Sequence, residues 1–232
     1  MLEVVCLHVR DVAAAAAGGA DRILLLRAPE SGGLSPEPLE VSAACRESDV
    51  PVRAMLRLNE GLSTSGGEFS RLIGLATDYL DMGVSGLSFG FLDADLQIDE
   101  ATTIELIGAL PEVAWSFHRG FDSALSTEHA WRSVLDLPGL DGVATGGSSR
   151  GLPEGADDLI ARAERDPAMA ALVIASGGLM PDVVPWLVHA GIRQFGIGRA
   201  VRPGRTWSRA YVDEGMVRSW RSLIDHEVDR LG

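Results

Sequence analysis

Eight short apolar runs alternate with longer segments of helical pattern from one end of this 232-residue chain to the other. Nearly continuous apolar runs of this length are typical of parallel strands that are buried on both faces. The predicted strands cover residues 2–7, 22–27, 52–58, 86–92, 113–119, 142–146, 171–177 and 194–199. The predicted helices cover about residues 11–17, 36–48, 67–81, 99–110, 126–137, 155–166, 181–190 and 213–231. Asp99 and Ser126 are the expected N-caps of their helices, since their side chains can accept hydrogen bonds from first-turn amides.

The eight strand–helix units predict an α/β protein in which residues 1–232 form one domain, a single (β/α)8 or TIM barrel. The rival architecture is an open, doubly wound sheet. That sheet normally carries a G-x-G-x-x-G turn after its first strand, and residues 7–11 contain none. Hydrophobic residues make up 46% of the chain, which is enough for the large core of a barrel.

The net charge and the hydropathy pattern limit the kinds of partner that we expect for this chain. The net charge of −13 repels phosphate backbones, so nucleic acid is not an expected partner. No apolar run approaches the roughly 18 residues of a membrane span, and the N-terminus lacks the pattern of a secretion signal. We therefore expect a soluble, cytoplasmic protein that has no membrane partner.

The residues that commonly bind metals are few and scattered. Cys6 and Cys45 lie in a predicted strand and a predicted helix, where reduced thiols usually behave as small core side chains. The five histidines show no metal-site spacing. These residues by themselves therefore predict no metal ligand.

In a TIM barrel the functional side chains lie at the carboxyl ends of the strands. Two glycine-rich turns follow strands seven and eight, where such turns let main-chain amides approach a phosphate or another small anion. The candidate anion-binding residues are Ser176, Gly177, Gly178, Gly196, Gly198 and Arg199. Arg202 and Arg205 add positive charge nearby. The alternative is that the glycines only turn the chain at the barrel rim.

The end of strand five carries the second candidate group. Alternation along the strand directs Ser116 and His118 into the barrel, where His118 could act as a general acid or base. Arg119 and Asp122 follow it, and Arg57 ends strand three at a similar depth. We expect the positive charge of Arg57 to lower the pKa of His118. The alternative is a structural histidine that only closes the top of the barrel.

Glu3 is a further candidate because it faces inward near the start of strand one. A buried carboxylate needs a partner, and Arg53 or Arg57 of strand three is within plausible reach. Glu3 is kept as a catalytic candidate, but a structural ion pair in the barrel is the favoured interpretation.

Several of these segments carry a family resemblance. They are G-A-D-R-I from Gly19, S-G-G-L-S-P from Ser31, M-L-R from Met55, F-G at Phe89 with I-D at Ile98, S-F-H-R-G-F-D from Ser116 and S-G-G-L from Ser176. In these segments the chain resembles the CutC family over residues 2 to about 200, and F-H-R-x-F-D is the most specific match. The resemblance implies a TIM barrel, a cytoplasmic location, often a dimer, and a link to copper tolerance. Copper is therefore the one cofactor that it implies.

The chain also departs from the family pattern. The pattern E-x-C on strand one has Val5 at the thiol position, and R-x-E-L-C on strand two has Leu24 and Leu26 in place of the acid and the thiol. On strand eight the pattern E-F-H ends in Gly196. Because copper(I) prefers thiolate and thioether ligands, the resemblance implies copper binding only weakly. The apolar strand two and the small Gly196 and Gly198 predict a roomier and less polar pocket than the family norm.

Three functions remain open at this point. The first is a CutC-family barrel that binds a small anionic molecule, such as a phosphorylated metabolite, and forms a homodimer. The second is an enzyme acting on a phosphorylated small molecule, with His118 as acid or base and with Arg57 and Arg119 stabilising charge. The third is a ligand-binding barrel that has lost catalysis, since Leu24 replaces the family acid.

Overall fold

Eight parallel strands close into a barrel in the order in which they occur along the chain. The structure is a computed structural model, and it describes residues 1–208 and 210–231. The strands are β1 (Leu2–Cys6), β2 (Arg22–Leu25), β3 (Val52–Met55), β4 (Gly86–Phe89), β5 (Ala114–Phe117), β6 (Leu140–Thr145), β7 (Val173–Ala175) and β8 (Gln194–Ile197). The predicted (β/α)8 barrel is confirmed. The predicted domain of residues 1–232 also includes residues 209 and 232, which lie outside the described part.

Helices follow the strands around the outside of the barrel. They are α1 (Val9–Ala17), α2 (Pro38–Arg46), α3 (Gly66–Asp81), α4 (Glu100–Ala109), α5 (Thr127–Leu135), α6 (Leu152–Ala163), α7 (Pro167–Leu172), α8 (Val184–His189) and α9 (Glu214–Leu231). The two predicted N-caps are confirmed, because Asp99 accepts from the amide of Thr102 and Ser126 from that of His129. Within the described residues, no helix has both the length and the apolar character needed to cross a membrane.

The short helix α7 was not predicted. The sequence interpretation began a strand at residue 171, which is wrong, because residues 171 and 172 end α7 and β7 starts at Val173. Asp166 caps α7 by accepting hydrogen bonds from the amides of Ala168 and Met169, and Pro167 occupies the first turn. The boundary was missed because an unbroken apolar run, residues 168–175, continues from the helix into the strand.

Alternation along the strands separates two apolar regions. Outward residues pack against the helices, and among them the rings of Trp115 and Phe89 stack with their centroids 4.4 Å apart. Cys6 is also part of this outer shell. The intervening residues Ser116 and His118 are buried and project into the barrel, as predicted. The carboxyl end of β5 therefore presents a polar face to the barrel interior.

Candidate ligand site at the carboxyl end of the barrel

His118 lies directly after β5 and is only 3% exposed. Its Nδ1 accepts a hydrogen bond from the amide of Gly120 at 2.9 Å. Burial, and secondarily the positive charge of Arg57, lower the pKa of His118 to about 4. The imidazole is therefore neutral at pH 7, and because Nδ1 is an acceptor, its proton is on Nε2. No described residue accepts from Nε2, so this N–H is available as a donor to a ligand.

Arg57 is held by the main chain of two loops. Its guanidinium donates to the carbonyl oxygens of Ser31 and Gly33 after β2, and to those of Glu60 and Gly61 after β3. These bonds tie the two loops together at the mouth of the barrel. The group still acts electrostatically on the neighbouring histidine, in the direction that the sequence predicts.

Arg119 and Asp122 form an ion pair, with Nη2 of the arginine 2.9 Å from Oδ2 of the aspartate. Asp122 also accepts from the hydroxyl of Thr145 and, at 3.0 Å, from the amide of Gly146. Arg119 Nη2 donates to the carbonyl oxygen of Ser148 at 3.2 Å. The carboxylate of Asp122 therefore joins the turns after β5 and β6, and it leaves Nη1 of Arg119 without an acceptor among the described residues.

The turn after β7 lies against this arginine. A β-carbon at Gly177 would be 2.4 Å from both Cζ and Nη1 of Arg119, so the turn and the guanidinium are in close contact. Gly177 and Gly178 both have positive φ, of 86° and 88°. No described residue accepts a hydrogen bond from either of their amides, and the hydroxyl of Ser176 is buried without a partner. Four unused donor groups therefore meet here: two amides, one hydroxyl and one guanidinium N–H.

The three site residues predicted in and after strand eight lie in different environments. Gly196 faces the interior, where a β-carbon would lie 3.0 Å from Cβ of Ser176. Gly198 is covered by Trp207, since a β-carbon there would be 2.1 Å from the indole ring. Arg199 is exposed at the rim, at the start of a short 3-10 helix. Gly198 thus makes room for an indole ring, and the anion-binding prediction rests mainly on the turn after β7.

Arg202 does not add free positive charge, contrary to expectation. It is 1% exposed and pairs with Asp11, whose Oδ2 lies 2.6 Å from Nη2 of the arginine. Asp11 also accepts from the amides of Leu7 and Val212, at 2.8 and 2.9 Å. This buried pair anchors the segment between β8 and α9, which carries Trp207, to the top of β1. Sequence reasoning missed Asp11, because a lone aspartate in a first helical turn ordinarily serves only the helix terminus.

Glu3 lies at the opposite end of the barrel from His118. Its partner is Arg22, with Oε2 and Nε 2.6 Å apart, and neither Arg53 nor Arg57 as expected. Arg53 instead binds both carboxylate oxygens of Asp141, at 2.7 and 2.6 Å. These charges form a neutralised floor at the amino end of the strands. A β-carbon at Gly196 would lie 3.0 Å from Cβ of Ser176 and 3.9 Å from Oε1 of Glu3, so the carboxylate of Glu3 lies in the layer below Ser176, where Arg22 neutralises it.

Above this charged floor, the interior faces of β1, β2 and β3 are apolar. Leu24, Leu26 and Met55 form a cluster separate from the outer shell, and Val5 and Leu7 pack against it. Val5, Leu24 and Leu26 occupy the positions at which the chain departs from the CutC pattern described above. The roof of this cluster is the glycine-rich turn after β2, in which a β-carbon at Gly33 would be 3.0 Å from Leu26 and from Met55.

The sulfur atoms are not arranged as a metal site. Burial raises the pKa of the Cys6 thiol well above its usual range, and Cys6 points into the outer shell. Cys45 lies on α2, outside the barrel. Met55 has the one sulfur that the described residues place inside. In residues 1–208 and 210–231, no three His, Cys, Asp or Glu side chains are grouped closely enough to hold a metal ion.

A cavity of about 220 Å³ lies beside Gly178, between the start of α6 and the turn after β7. Its lining includes the carboxylates of Glu154, Asp157 and Asp182. Three carboxylates repel an anion, so this cavity is not a second phosphate site.

Comparison with known proteins shows the same architecture. The model of the CutC family matches residues 1–198. Curated CutC family proteins from two strains of Klebsiella pneumoniae are each 29% identical to the chain, over 84% of its length and 78% of theirs. A crystal structure of CutC from Streptococcus agalactiae, described as a copper homeostasis protein, has a TM-score of 0.74 at 18% identity. It aligns with 85% of this chain and 97% of that chain.

Proposed function

Because this chain belongs to the CutC family, we propose that it is a copper-homeostasis family barrel whose working site binds a small oxyanion-bearing molecule at the carboxyl end of the strands. A phosphorylated metabolite is the ligand class that we favour. A cytoplasmic location and a homodimer, which the family resemblance implies, belong to the same proposal.

The turn after β7 carries this proposal. Gly177 and Gly178 leave two amides free, Ser176 has a buried hydroxyl without a partner, and Arg119 keeps one N–H unused. The buried hydroxyl of Ser176 costs folding free energy while it has no partner, which is understandable where a ligand supplies the acceptor. Gly178 and Arg119 are open to solvent and can meet the same ligand. An acceptor with several oxygens, such as phosphate, can bond several converging donors at once.

The local charges favour an anion although the whole chain carries a net charge of −13. The acidic side chains at the site, such as Asp122, are already paired. Among the described residues Arg57 has no carboxylate partner, Arg119 keeps Nη1 unused beside its ion pair with Asp122, and the Nε2–H of the neutral His118 adds a further donor. In a site of reduced dielectric these groups act on an anion more strongly than they would in water.

Catalysis is the second candidate function. The observation that favours it is a buried, neutral His118 beside Arg57. Because its proton is on Nε2 and Nδ1 is already bonded, His118 is suited to donate a hydrogen bond to a ligand oxygen. A general base would require Nε2 to be unprotonated, which would move the proton to Nδ1 and break the bond from Gly120. A barrel that binds a ligand without catalysing a reaction would use the same Nε2–H of His118.

Replacing Ser176 by alanine is expected to weaken phosphate binding about tenfold or more, because a hydrogen bond to a charged group contributes about 1.5–3 kcal/mol. Removing the hydroxyl should not destabilise the protein, since it has no partner in the fold. Phosphate should raise the melting temperature of the wild type at low salt. Titration calorimetry and thermal melts measure both effects.

The matched control for this experiment is Ser88→Ala. Ser88 also has a buried hydroxyl without a partner, but it is on β4. The Ser88→Ala variant should bind phosphate with the same affinity as the wild type. A wild-type protein whose melting temperature does not respond to millimolar phosphate would contradict the proposal.

We expect no tight, stoichiometric copper(I) site. Copper(I) prefers several soft ligands, whereas Cys6 is sealed in the outer shell and the interior offers the single thioether of Met55. Titration against a competing chelator should show weak binding that is unchanged in Cys6→Ser. The variant Cys45→Ser controls for the general effect of removing one thiol from the protein. Tight one-to-one binding that is lost in Cys6→Ser would contradict this expectation.

A further inference from the structure

We propose that the barrel interior holds the apolar part of the same ligand, so that the natural ligand is an amphipathic small molecule with an oxyanion at one end and an aliphatic or aromatic group at the other. This inference rests on the proposed oxyanion site, and it adds the class of molecule that carries the anion. It follows from the apolar side chains of β1–β3 that remain partly exposed inside the barrel, below its polar rim.

One half of the interior is lined by large apolar side chains. Val5 of β1 is paired with Leu24 of β2, Leu24 is paired with Arg53 of β3, and Met55 lies one inward position above Arg53. Leu7 and Leu26 continue this wall toward the mouth. A TIM barrel normally fills its interior with such side chains from all strands. On the opposite side the large inward side chain is Ile174 of β7, which is completely buried.

The half formed by β6–β8 has small residues around one large side chain. Inward positions on β6 and β8 are occupied by Gly142, Ala144 and Gly196, and Ser176 continues β7. Ile174 fills the space left by the two glycines, since a β-carbon would lie 2.5 Å from its Cδ1 at Gly142 and 3.3 Å from its Cγ2 at Gly196. The open space of the interior therefore lies above Ile174, toward the mouth. The buried hydroxyl of Ser176 faces this space without a partner.

Solvent reaches this space through the mouth. Val5 is in the middle of β1, and its neighbours Val4 and Cys6 on the outer face are completely buried. Val5 itself is nevertheless half-buried, and so is Leu7. Because the helices cover the outer face, the exposed part of Val5 must be on the inside of the barrel. An exposed apolar surface at the bottom of a polar-rimmed opening is typical of a ligand pocket.

The rim adds both apolar contact and charge. Trp207 covers Gly198 beside the mouth, and the buried pair of Asp11 and Arg202 holds its segment in place. The donors of the Gly177–Gly178 turn and the guanidinium of Arg119 lie on the same rim. A ligand with its apolar group against β1–β3 would therefore place an attached phosphate or carboxylate at the turn after β7.

The test uses inorganic phosphate and a series of straight-chain alkyl phosphates from methyl to pentyl, titrated into the full-length protein by calorimetry. Each buried methylene contributes about 0.8 kcal/mol, so the dissociation constant should fall about three- to fourfold per carbon until the pocket is full. Inorganic phosphate measures the oxyanion site alone. The dependence on chain length measures the apolar wall alone.

Two variants test whether the alkyl chain of the ligand contacts Val5 and Leu24. Val5→Thr keeps the shape of the side chain and Leu24→Asn nearly keeps its size, while each adds polar atoms. Both should retain the affinity for inorganic phosphate and lose most of the gain per carbon. Leu39→Asn, at a leucine that is 85% exposed on α2, is the control and should leave the series unchanged. Val5→Thr keeps the test decisive if Leu24→Asn does not fold.

The outcomes separate the two proposals. Phosphate binding with no dependence on chain length overturns the apolar pocket and leaves the oxyanion site standing. A chain-length gain that persists in Val5→Thr and Leu24→Asn also overturns the pocket, because the tail then lies elsewhere. If 1-pentanol binds in a manner sensitive to these variants while no phosphate binds, the pocket stands and the oxyanion site fails. Absence of binding by every member overturns both.

Discussion

Replacing Asp11 by alanine is expected to lower the free energy of unfolding by about 3–5 kcal/mol, the largest effect of any single change considered for this protein. Asp11 is fully buried and pairs with Arg202, which is 1% exposed. The substitution leaves a guanidinium buried without a counter-charge. It also removes the acceptor for the amides of Leu7 and Val212. Urea denaturation at pH 7 measures the loss.

The matched control for this prediction is an exposed ion pair. Glu214→Ala removes the partner of Arg218 on the surface of α9 and should cost less than about 1 kcal/mol. In the double variant Asp11→Ala/Arg202→Met the buried charge is gone, so the loss should be smaller than the sum of the two single losses. If Asp11→Ala behaves like Glu214→Ala, the pair does not anchor the segment that carries Trp207.

The second large effect is a dependence of stability on pH that comes from His118. Its pKa is lowered from 6.5 to about 4 in the folded protein. A histidine whose folded pKa is depressed stabilises the fold above its unfolded pKa, and this stabilisation disappears as the pH falls through the folded pKa. We therefore expect His118 to contribute about 3 kcal/mol that is present above pH 6.5 and lost progressively down to about pH 4.

His118→Asn isolates this contribution. The asparagine oxygen can accept from the Gly120 amide as Nδ1 does, but the side chain does not titrate. The difference in unfolding free energy between wild type and variant should shift by about 3 kcal/mol between pH 7 and pH 4, with the variant becoming relatively more stable at low pH. His129→Asn, at an exposed position on α5, is the control. If the difference in unfolding free energy between the wild type and His118→Asn does not change with pH, then burial does not lower the pKa of His118.

The same variant separates the two roles considered for His118. If its Nε2–H donates to a bound oxyanion, His118→Asn should weaken phosphate binding at pH 7 while the free protein remains folded. If the histidine only closes the barrel top, the affinity should stay unchanged and the entire effect should appear in stability.

The architecture and the location of the candidate site were predictable from local patterns. Eight apolar runs separated by helical segments led to the barrel, and the two-residue period of β5 placed His118 inside. The glycine-rich turn at Gly177 was recognisable because positive φ and close approach require glycine there. Helix α7 was missed because its apolar run continues into β7, and the predicted strands extended one to three residues too far at their carboxyl ends.

The charged partners were not predictable in the same way. Arg22, rather than Arg53 or Arg57, pairs with Glu3, and Asp141 binds Arg53 across a sequence separation of 88 residues. These pairs depend on the register of strands around a closed barrel. A one-residue change in register would exchange the faces of a strand, and periodicity within one strand does not report its register with the next.

The sequence by itself determined that eight units form a barrel, where each strand ends to within three residues, and that strand two is apolar where the family pattern is polar. These properties follow from periods of two and 3.6 residues and from residue type, and both are local. Only the tertiary structure decided that Arg57 is held by four carbonyl oxygens, that Asp11 neutralises Arg202, and that Trp207 covers Gly198. Each of these contacts depends on the path of a loop between distant elements, and the low dielectric of the site then decides which charges remain free to meet a ligand.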